Sequence, residues 1–413
     1  MPARTRLVVG ALTLLLGAPR ALASGFLLAE QTASALAVGG AAVARAEDPG
    51  AAWFNPALLA LPGAPAWAAA ATGGVLLART RFYPAGDGGQ IDSPGAPQVA
   101  PSLYGQAALG GRWALGLAVL APYGLDVAWP EGWVGAQKSL ASKLVVVAVN
   151  PSLAVRIGEG LALAAGVSLL RGSVTLASAL PPAPFGPGGR VDLAGSAWGA
   201  AFNLAAAYRL AALPLELGAS YRSWSRLDFR GDADFSPENA GFEETTADQK
   251  VSADVKLPDV LALGARYRPV PRLALHLELD VVFWSRFDHL VIDFERSATP
   301  DQQLDRSSVN PLTARAGVEW AWPAVGLVGR AGAMVDGSSS RADTLSPAAP
   351  DSTRLTGALG LGWTSSGQTA RLTVDVTYAL AWFLPATSAP TVDPSGTYRS
   401  LVHALLVTVG VRR

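Results

Sequence analysis

The stretch LALHLELD, residues 273–280, carries a leucine at every second position. In an extended chain successive side chains point to opposite faces. Leu273, Leu275, Leu277 and Leu279 therefore share one face, and Ala274, His276, Glu278 and Asp280 the other. RLTVDVTY, residues 371–378, repeats the arrangement, with Leu372, Val374, Val376 and Tyr378 opposing Arg371, Thr373, Asp375 and Thr377. Val251, Ala253, Val255 and Leu257 likewise oppose Ser252, Asp254 and Lys256. Period alone does not say where the oily face points. A sandwich turns it inward between two sheets, whereas a membrane barrel turns it outward to hydrocarbon.

Composition tips the balance. Of the 413 residues 50% are hydrophobic and 15% charged, against roughly 25% charged in a typical soluble domain. Mean hydropathy is +0.29. Past the N-terminus there is still no run of about 18 uninterrupted apolar residues, so helical spans are not expected. Membrane strands give this combination, because lipid sees only alternate side chains. The formal net charge of zero offers no basic footprint for nucleic acid. The absence of cysteine excludes disulfides, thiolate metal sites and thiol nucleophiles.

Connection lengths sharpen the reading. Alternating segments fall at 66–83, 99–109, 112–121, 143–157, 161–178, 191–210, 214–230, 250–268, 272–295, 308–321, 324–336, 352–364, 369–380 and 399–412. That predicts an all-β, transmembrane antiparallel barrel of about 14 strands, an even number as bacterial barrels have. Short links at 110–111, 158–160, 211–213, 269–271, 322–323 and 365–368 alternate with long ones, which separates a periplasmic rim of tight turns from an extracellular rim of loops. Trp113, Trp320, Trp322 and Trp363 stand beside the short links, where a barrel carries an interfacial aromatic belt.

The first residues differ from the rest. Arg4 and Arg6 precede the short apolar run LVVGALTLLLGA (7–18), and Ala21-Leu22-Ala23 offers a small-x-small cleavage site. Residues 1–23 are expected to be a signal peptide. Residues 24–62 are small and apolar, do not alternate, and are broken by Gly39-Gly40, Pro49-Gly50 and Pro56. They are not expected to form wall, leaving 63–413 for the barrel.

In order along the chain, several stretches resemble the long-chain fatty acid and aromatic hydrocarbon transporters of the outer membrane, the FadL/TodX type. Ser24-Gly25-Phe26 is similar to that family's mature start, and DPGAAWFNPA (48–57) to its hatch segment with an Asn-Pro-Ala motif, here Asn55-Pro56-Ala57. Ala121-Pro122-Tyr123-Gly124, Asn150-Pro151-Ser152, Trp198-Gly199 with Asn203, LGASYRS (217–223), Leu257-Pro258-Asp259 and Phe283-Trp284-Ser285-Arg286-Phe287 extend the likeness over nearly the whole mature chain. The chain departs from the family in ending on Val411-Arg412-Arg413 rather than an aromatic.

The resemblance implies an outer-membrane protein for passive uptake of hydrophobic molecules, with residues 24–62 as a hatch in the lumen. A fourteen-strand bore is too wide for side chains alone to fill. It also implies that Phe26, Leu27 and Leu28 line an inner pocket, with Trp53 and Phe54 similar to them in role. Packing of the hatch on the wall would use the same residues. Tyr123, Trp129 and Trp133 occupy the long link after the third strand and could form an outer capture site or close that loop. Gly116 marks a candidate bend in the third strand, where the family has a kink opening toward lipid. His276, Glu278, Asp280, Arg371 and Asp375 are expected to pair inside the barrel. An arginine for a ligand carboxylate is conceivable, without a choice among candidates.

Three other readings need weighing. A barrel enzyme acting on lipids would need a catalytic constellation, but His276, His289 and His403 are the three histidines and none has metal spacing. No GxSxG elbow or P-loop is present. A general diffusion porin would line its pore with charge and lack the apolar N-terminal segment. A soluble sandwich would need the leucine faces buried between two sheets. The expectation is thus a non-enzymatic transporter without cofactor or metal, a monomer whose partners are a hydrophobic ligand and outer-membrane lipid.

Overall fold

The computed structural model describes residues 25–86, 88–180, 188–237, 245–305, 307–367 and 369–413. The expected signal peptide lies outside the described residues. Twenty-one hydrogen-bonded segments form one sheet; eighteen of them, in line, make fourteen staves, and the short pieces Ile91–Pro94, Gln98–Val99 and Ala386–Thr387 add to the pairing of the first and last staves. The staves are β1 (Trp67–Pro84), β2 (Ser102–Ala108), β3 (Trp113–Ala128), β4 (Ala141–Ile157), β5 (Leu161–Ala179) and β6 (Gly189–Arg209). Four more are in two pieces: β7 (Leu215–Arg222, Ser225–Pro237), β8 (Gln249–Leu257, Val260–Val270), β9 (Leu273–Val282, His289–Phe294) and β10 (Gln302–Asp305, Leu312–Trp322). β11 (Leu327–Asp336), β12 (Arg354–Thr364), β13 (Arg371–Phe383) and β14 (Gly396–Arg412) complete the wall. Neighbours are antiparallel, and β14 closes on β1 from Ala68↔Arg412 to Pro84↔Gly396.

The leucine face turns outward. Leu275, Leu277 and Leu279 are 40%, 55% and 47% exposed, while His276, Glu278 and Asp280 between them are 2%, 6% and 5% exposed. That is the reverse of a soluble core, and it excludes the sandwich. Trp113, Trp320, Trp322 and Trp363 are exposed beside the tight turns, and Trp67 joins them.

Three differences from the expected strands have local causes. β3 runs past residue 121 to Ala128, because the ladder skips two residues and resumes: Leu120↔Ala148 is followed by Tyr123↔Val146. Pro122 inside that bulge has no N–H to offer a ladder. β7, β8, β9 and β10 are each interrupted part-way up. Pro258 breaks β8 for the same reason, and a 3₁₀ turn, Trp284–Arg286, breaks β9. Periodicity misses such breaks, since alternation resumes beyond them.

Residues 26–61 lie inside the bore as a hatch, and Gly63 and Ala66 beyond them are exposed. Helix α1 (Ala33–Ala37) is wholly buried and starts at Thr32, whose side chain accepts from Ala35 N–H. Ala33 N–H donates to Thr408 Oγ1 at 2.9 Å, Thr377 Oγ1 donates to Ala33 O at 2.6 Å, and Val43 N–H donates to Glu278 Oε2 at 2.7 Å. The wall makes room with a row of inward glycines. A Cβ on Gly218 would stand 2.0 Å from Val43 O, on Gly317 2.5 Å from Val38 O, on Gly332 2.0 Å from Gly39 N, and on Gly360 2.6 Å from Ala37 Cβ. Backbone thus rests directly on backbone.

Gly332→Val should unseat the hatch without opening the barrel, at a cost of about 1–3 kcal/mol for overpacking. The expected readout is faster protease cleavage within residues 26–61 and larger conductance in planar bilayers, with the folded barrel's gel mobility before heating unchanged.

Candidate ligand path through the barrel

The bulge in β3 organises the lumen. The Pro122 carbonyl accepts from Leu28 N–H at 2.9 Å, and Gly124 N–H donates to Phe26 O at 3.0 Å, so Leu27 forms a bridge with Tyr123. Gln31 Nε2 reaches the Ala121 carbonyl at 3.2 Å. The hatch's first residues are added to the inside of the wall and divide the bore into two chambers.

Above the divider lies an apolar chamber of about 1210 Å³, mouth included. Leu144, Leu176, Leu193, Val255 and Ile292 form its sleeve, with Phe26 and Trp284 at its base. Phe26 meets Trp284 edge-on at 4.6 Å between ring centroids, and Tyr123 and Phe287 stand at 6.0 and 6.4 Å. Polar groups gather at the rim, where Lys138, Ser139 and Asp351 also line the chamber. Burial pushes the Asp351 carboxyl above its ordinary range, against hydrogen bonds donated by Ser338, Ser339 and Ser340.

Below the divider a chamber of about 700 Å³ is bounded by Leu27, Leu28, Trp53, Phe54 and Tyr123. Arg222 faces it, lying 3.3 Å from the Trp53 ring centroid and donating to Trp53 O and Ser168 Oγ, each at 3.0 Å. The chamber's polar wall is Glu278, Asp280 and Arg315, with Arg315 2.8 Å from Asp280.

The hatch is fastened beneath by buried ions. Arg45 pairs with Asp48 and, at 2.9 Å, with Glu319 of β10. Glu319 also meets Arg330 at 3.0 Å and lies 2.7 Å from His276 Nε2, and Arg330 continues to Asp375 at 2.6 Å. Burial works against the Arg45 charge, but Glu319 and Asp48 outweigh it and hold the guanidinium protonated. Asp48 in turn accepts from Thr32, Ser34 and Gly50 N–H. Asn55 donates to Val43 O at 2.7 Å and to Ala206 O of β6 at 3.0 Å, and accepts from Ala57 N–H at 3.1 Å. Pro56 opens the 3₁₀ turn that follows, so the Asn-Pro-Ala segment ties the hatch to the wall.

Other residues singled out from the sequence sit differently. Trp129 and Trp133 are 5% and 7% exposed, stacked at 4.5 Å, and packed with Phe82 and Tyr398. Their indole N–H groups donate to Pro347 O at 3.0 Å and Ser139 O at 2.8 Å. They close the extracellular loop and are not exposed for capture. Gly116 is not the bend: the ladder runs through it unbroken, Gln106↔Gly116↔Ser152, and the irregularity lies at Ala121–Pro122. A Cβ there would come 2.7 Å from Leu59 Cδ1, so Gly116 admits the hatch. Arg371 stands exposed on the periplasmic rim opposite Arg412, not inside the lumen. Nothing in the sequence by itself marks Trp284, Phe287, Leu193 and Arg222 as lining the lumen chambers. The nearest signal is Val281-Val282-Phe283-Trp284, four consecutive apolar residues, too many for strict alternation.

The family profile described as outer membrane protein transport protein (OMPP1/FadL/TodX) matches residues 14–411. Outer membrane protein P1 of Haemophilus influenzae is 26% identical over 315 residues, covering 69% of this chain and 66%, just under two thirds, of that protein. The fold is similar to the crystal structure of a Pseudomonas aeruginosa FadL homologue, with a TM-score of 0.84 at 18% identity over 94% of this chain and 99% of that one. It is also similar to the P. putida toluene transporter TodX, with a TM-score of 0.71 at 18% identity over 95% and 98%.

Glu319→Ala should leave Arg45 and Arg330 buried without their shared carboxylate and destabilise the hatched state by about 3–5 kcal/mol. Denaturant titration in detergent, with hatch proteolysis as the local readout, measures it. Glu319→Gln should recover part of the loss through its hydrogen bonds.

Proposed function

Because the chain belongs to the OMPP1/FadL/TodX family of outer membrane transport proteins, we propose that it conducts hydrophobic small molecules passively across the outer membrane toward the periplasm. The observation that carries this is the pair of lumen chambers, apolar above and mixed below, parted by Phe26, Leu27 and Leu28. A sleeve of Leu144, Leu176, Leu193, Val255 and Ile292 suits a ligand with little polarity, since each buried CH₂ gains about 0.8 kcal/mol. The upper chamber is the resting site of a ligand arriving from the loops. Movement of the Phe26–Leu28 divider passes it to Trp53, Phe54 and Arg222 below. Long-chain fatty acids and aromatic hydrocarbons are the candidate cargoes. The protein works as a monomer in contact with lipid, by binding and release and without catalysis. Charge along the lumen is consumed in internal pairs such as Arg315–Asp280 and Arg330–Asp375, which disfavours a water-filled porin lined with free charge.

Filling the sleeve tests the reading. Leu193→Trp should weaken saturable binding of a fluorescent fatty acid or of naphthalene by about tenfold or more, as one lost ligand-sized contact of 1.4 kcal/mol would. Unchanged binding of both probes to the correctly folded variant would place the ligand elsewhere.

A further inference from the structure

The outer wall changes chemistry sharply at the seam where the barrel closes. Up β1 the outward residues are small or apolar from Trp67 to Leu77, and the next two are Arg79 and Arg81. Up β14 they are apolar from Val411 to Leu405, followed by His403, Leu401 and Arg399. Neighbouring β13 ends its outward row on Tyr378, Leu380 and Trp382. From Trp67 to Arg79, at about 3.3 Å per residue and a tilt near 40°, the strand climbs about 30 Å, just past an apolar band about 25 Å tall. The arginines therefore stand at the level of the outer-leaflet headgroups, with the exposed Trp382 as an interfacial aromatic.

Register brings like charges together here. Arg81 is directly opposite Arg399 across the β1–β14 ladder, and Arg79, opposite Leu401, is the diagonal neighbour of Arg399. All three are exposed. Like charges directly opposite destabilise a ladder, and diagonal neighbours lie within reach of long side chains. Arg399 also lies over the Tyr83 ring, 5.1 Å from its centroid. Asp92 of the short piece Ile91–Pro94 meets Arg81 at 3.2 Å. Among the described residues Arg79 and Arg399 have no carboxylate within ion-pair distance. Other exposed cations of the outer wall do: Arg226 has Asp228 and Asp254, Lys250 has Asp232, and Lys143 has Asp126. The seam thus keeps a positive excess that the rest of the wall cancels.

Below the arginines the same face is hydrocarbon. Val75, Leu77, Leu380, Leu405 and Val407 are exposed. At the upper edge of this apolar field Tyr378 Oη lies 2.8 Å from His403 Nδ1. The face therefore suits a molecule with an anionic head above and acyl chains below. Guanidinium forks match phosphate oxygens, and basic clusters at headgroup height read as sites for anionic lipid. A phosphate placed among Arg79, Arg81 and Arg399 would neutralise the charge that Asp92 leaves over.

We propose that the β13–β14–β1 face binds a phosphorylated glycolipid of the outer leaflet, lipid A, at this one place on the wall. Arg79, Arg81 and Arg399 hold a phosphate of its headgroup. Its acyl chains lie along the apolar field, and the Tyr378–His403 pair meets the ester groups where head and chains join. The bound lipid offsets the repulsion across the closing seam.

The test uses the purified full chain in neutral detergent, with bisphosphorylated lipid A as the probe. Bound lipid is counted by native mass spectrometry with a chelator of divalent cations present. One lipid A should stay bound without metal. Arg79→Gln with Arg399→Gln should weaken its binding by about tenfold or more. Arg226→Gln, across the barrel on β7, should leave it unchanged. Lipid A stripped of its phosphates should bind the unaltered chain no better than intact lipid A binds the double variant. Gel mobility before heating, the same for all three proteins, checks that the barrels are folded. Equal affinity of the unaltered chain and the double variant, or of intact and stripped lipid A, would overturn the site. Displacement of lipid A by equimolar inorganic phosphate would overturn it too, since a bare anion has no chains to lay on the wall.

Discussion

Bilayer hydrocarbon accepts no hydrogen bonds, so every backbone amide crossing it must find its partner in the protein. Closure of β14 on β1 along seventeen consecutive residue pairs is how this chain meets that demand. The remaining architecture follows. With all edges paired, side chains are free to sort by face, leucine and valine to lipid and small or charged residues to the lumen. The cylinder that results is too wide for its own side chains, and the hatch fills it.

The hatch solves a second electrostatic problem. Charges in the lumen are shielded from water yet cannot face lipid, so they are stable only in pairs with their hydrogen bonds satisfied. Arg45, Glu319, Arg330 and Asp375 form such a chain, running from the hatch into β10, β11 and β13. Glycines at 218, 317, 332 and 360 let hatch and wall approach closely enough for these contacts to form. Packing and charge pairing therefore reinforce each other across the same surface.

The wall was legible in the sequence because its cause is local. LALHLELD alternates, and its alternation is the wall. Short links gave the turns, and the non-alternating stretch 24–62 gave the hatch. The chamber was less legible because its residues come from β4, β5, β6, β8 and β9, and only closure of the barrel brings Leu144, Leu176, Leu193, Val255 and Ile292 together. Trp129 and Trp133 looked exposed because a loop's tertiary partners, here Phe82 and Tyr398, are far away in sequence. Gly116 was legible as a special position but not in its role, since a glycine that admits a neighbouring chain and one that bends a strand are spelled alike.

The strip from Phe26 to Leu28 is held by only two backbone bonds to β3, and it is both the base of one compartment and the roof of the other. On the proposed route, a molecule small enough for the upper compartment waits there without disturbing the strip, whereas a longer one has to lift it. Length would then act as a threshold, set by what it takes to pry that strip from the wall.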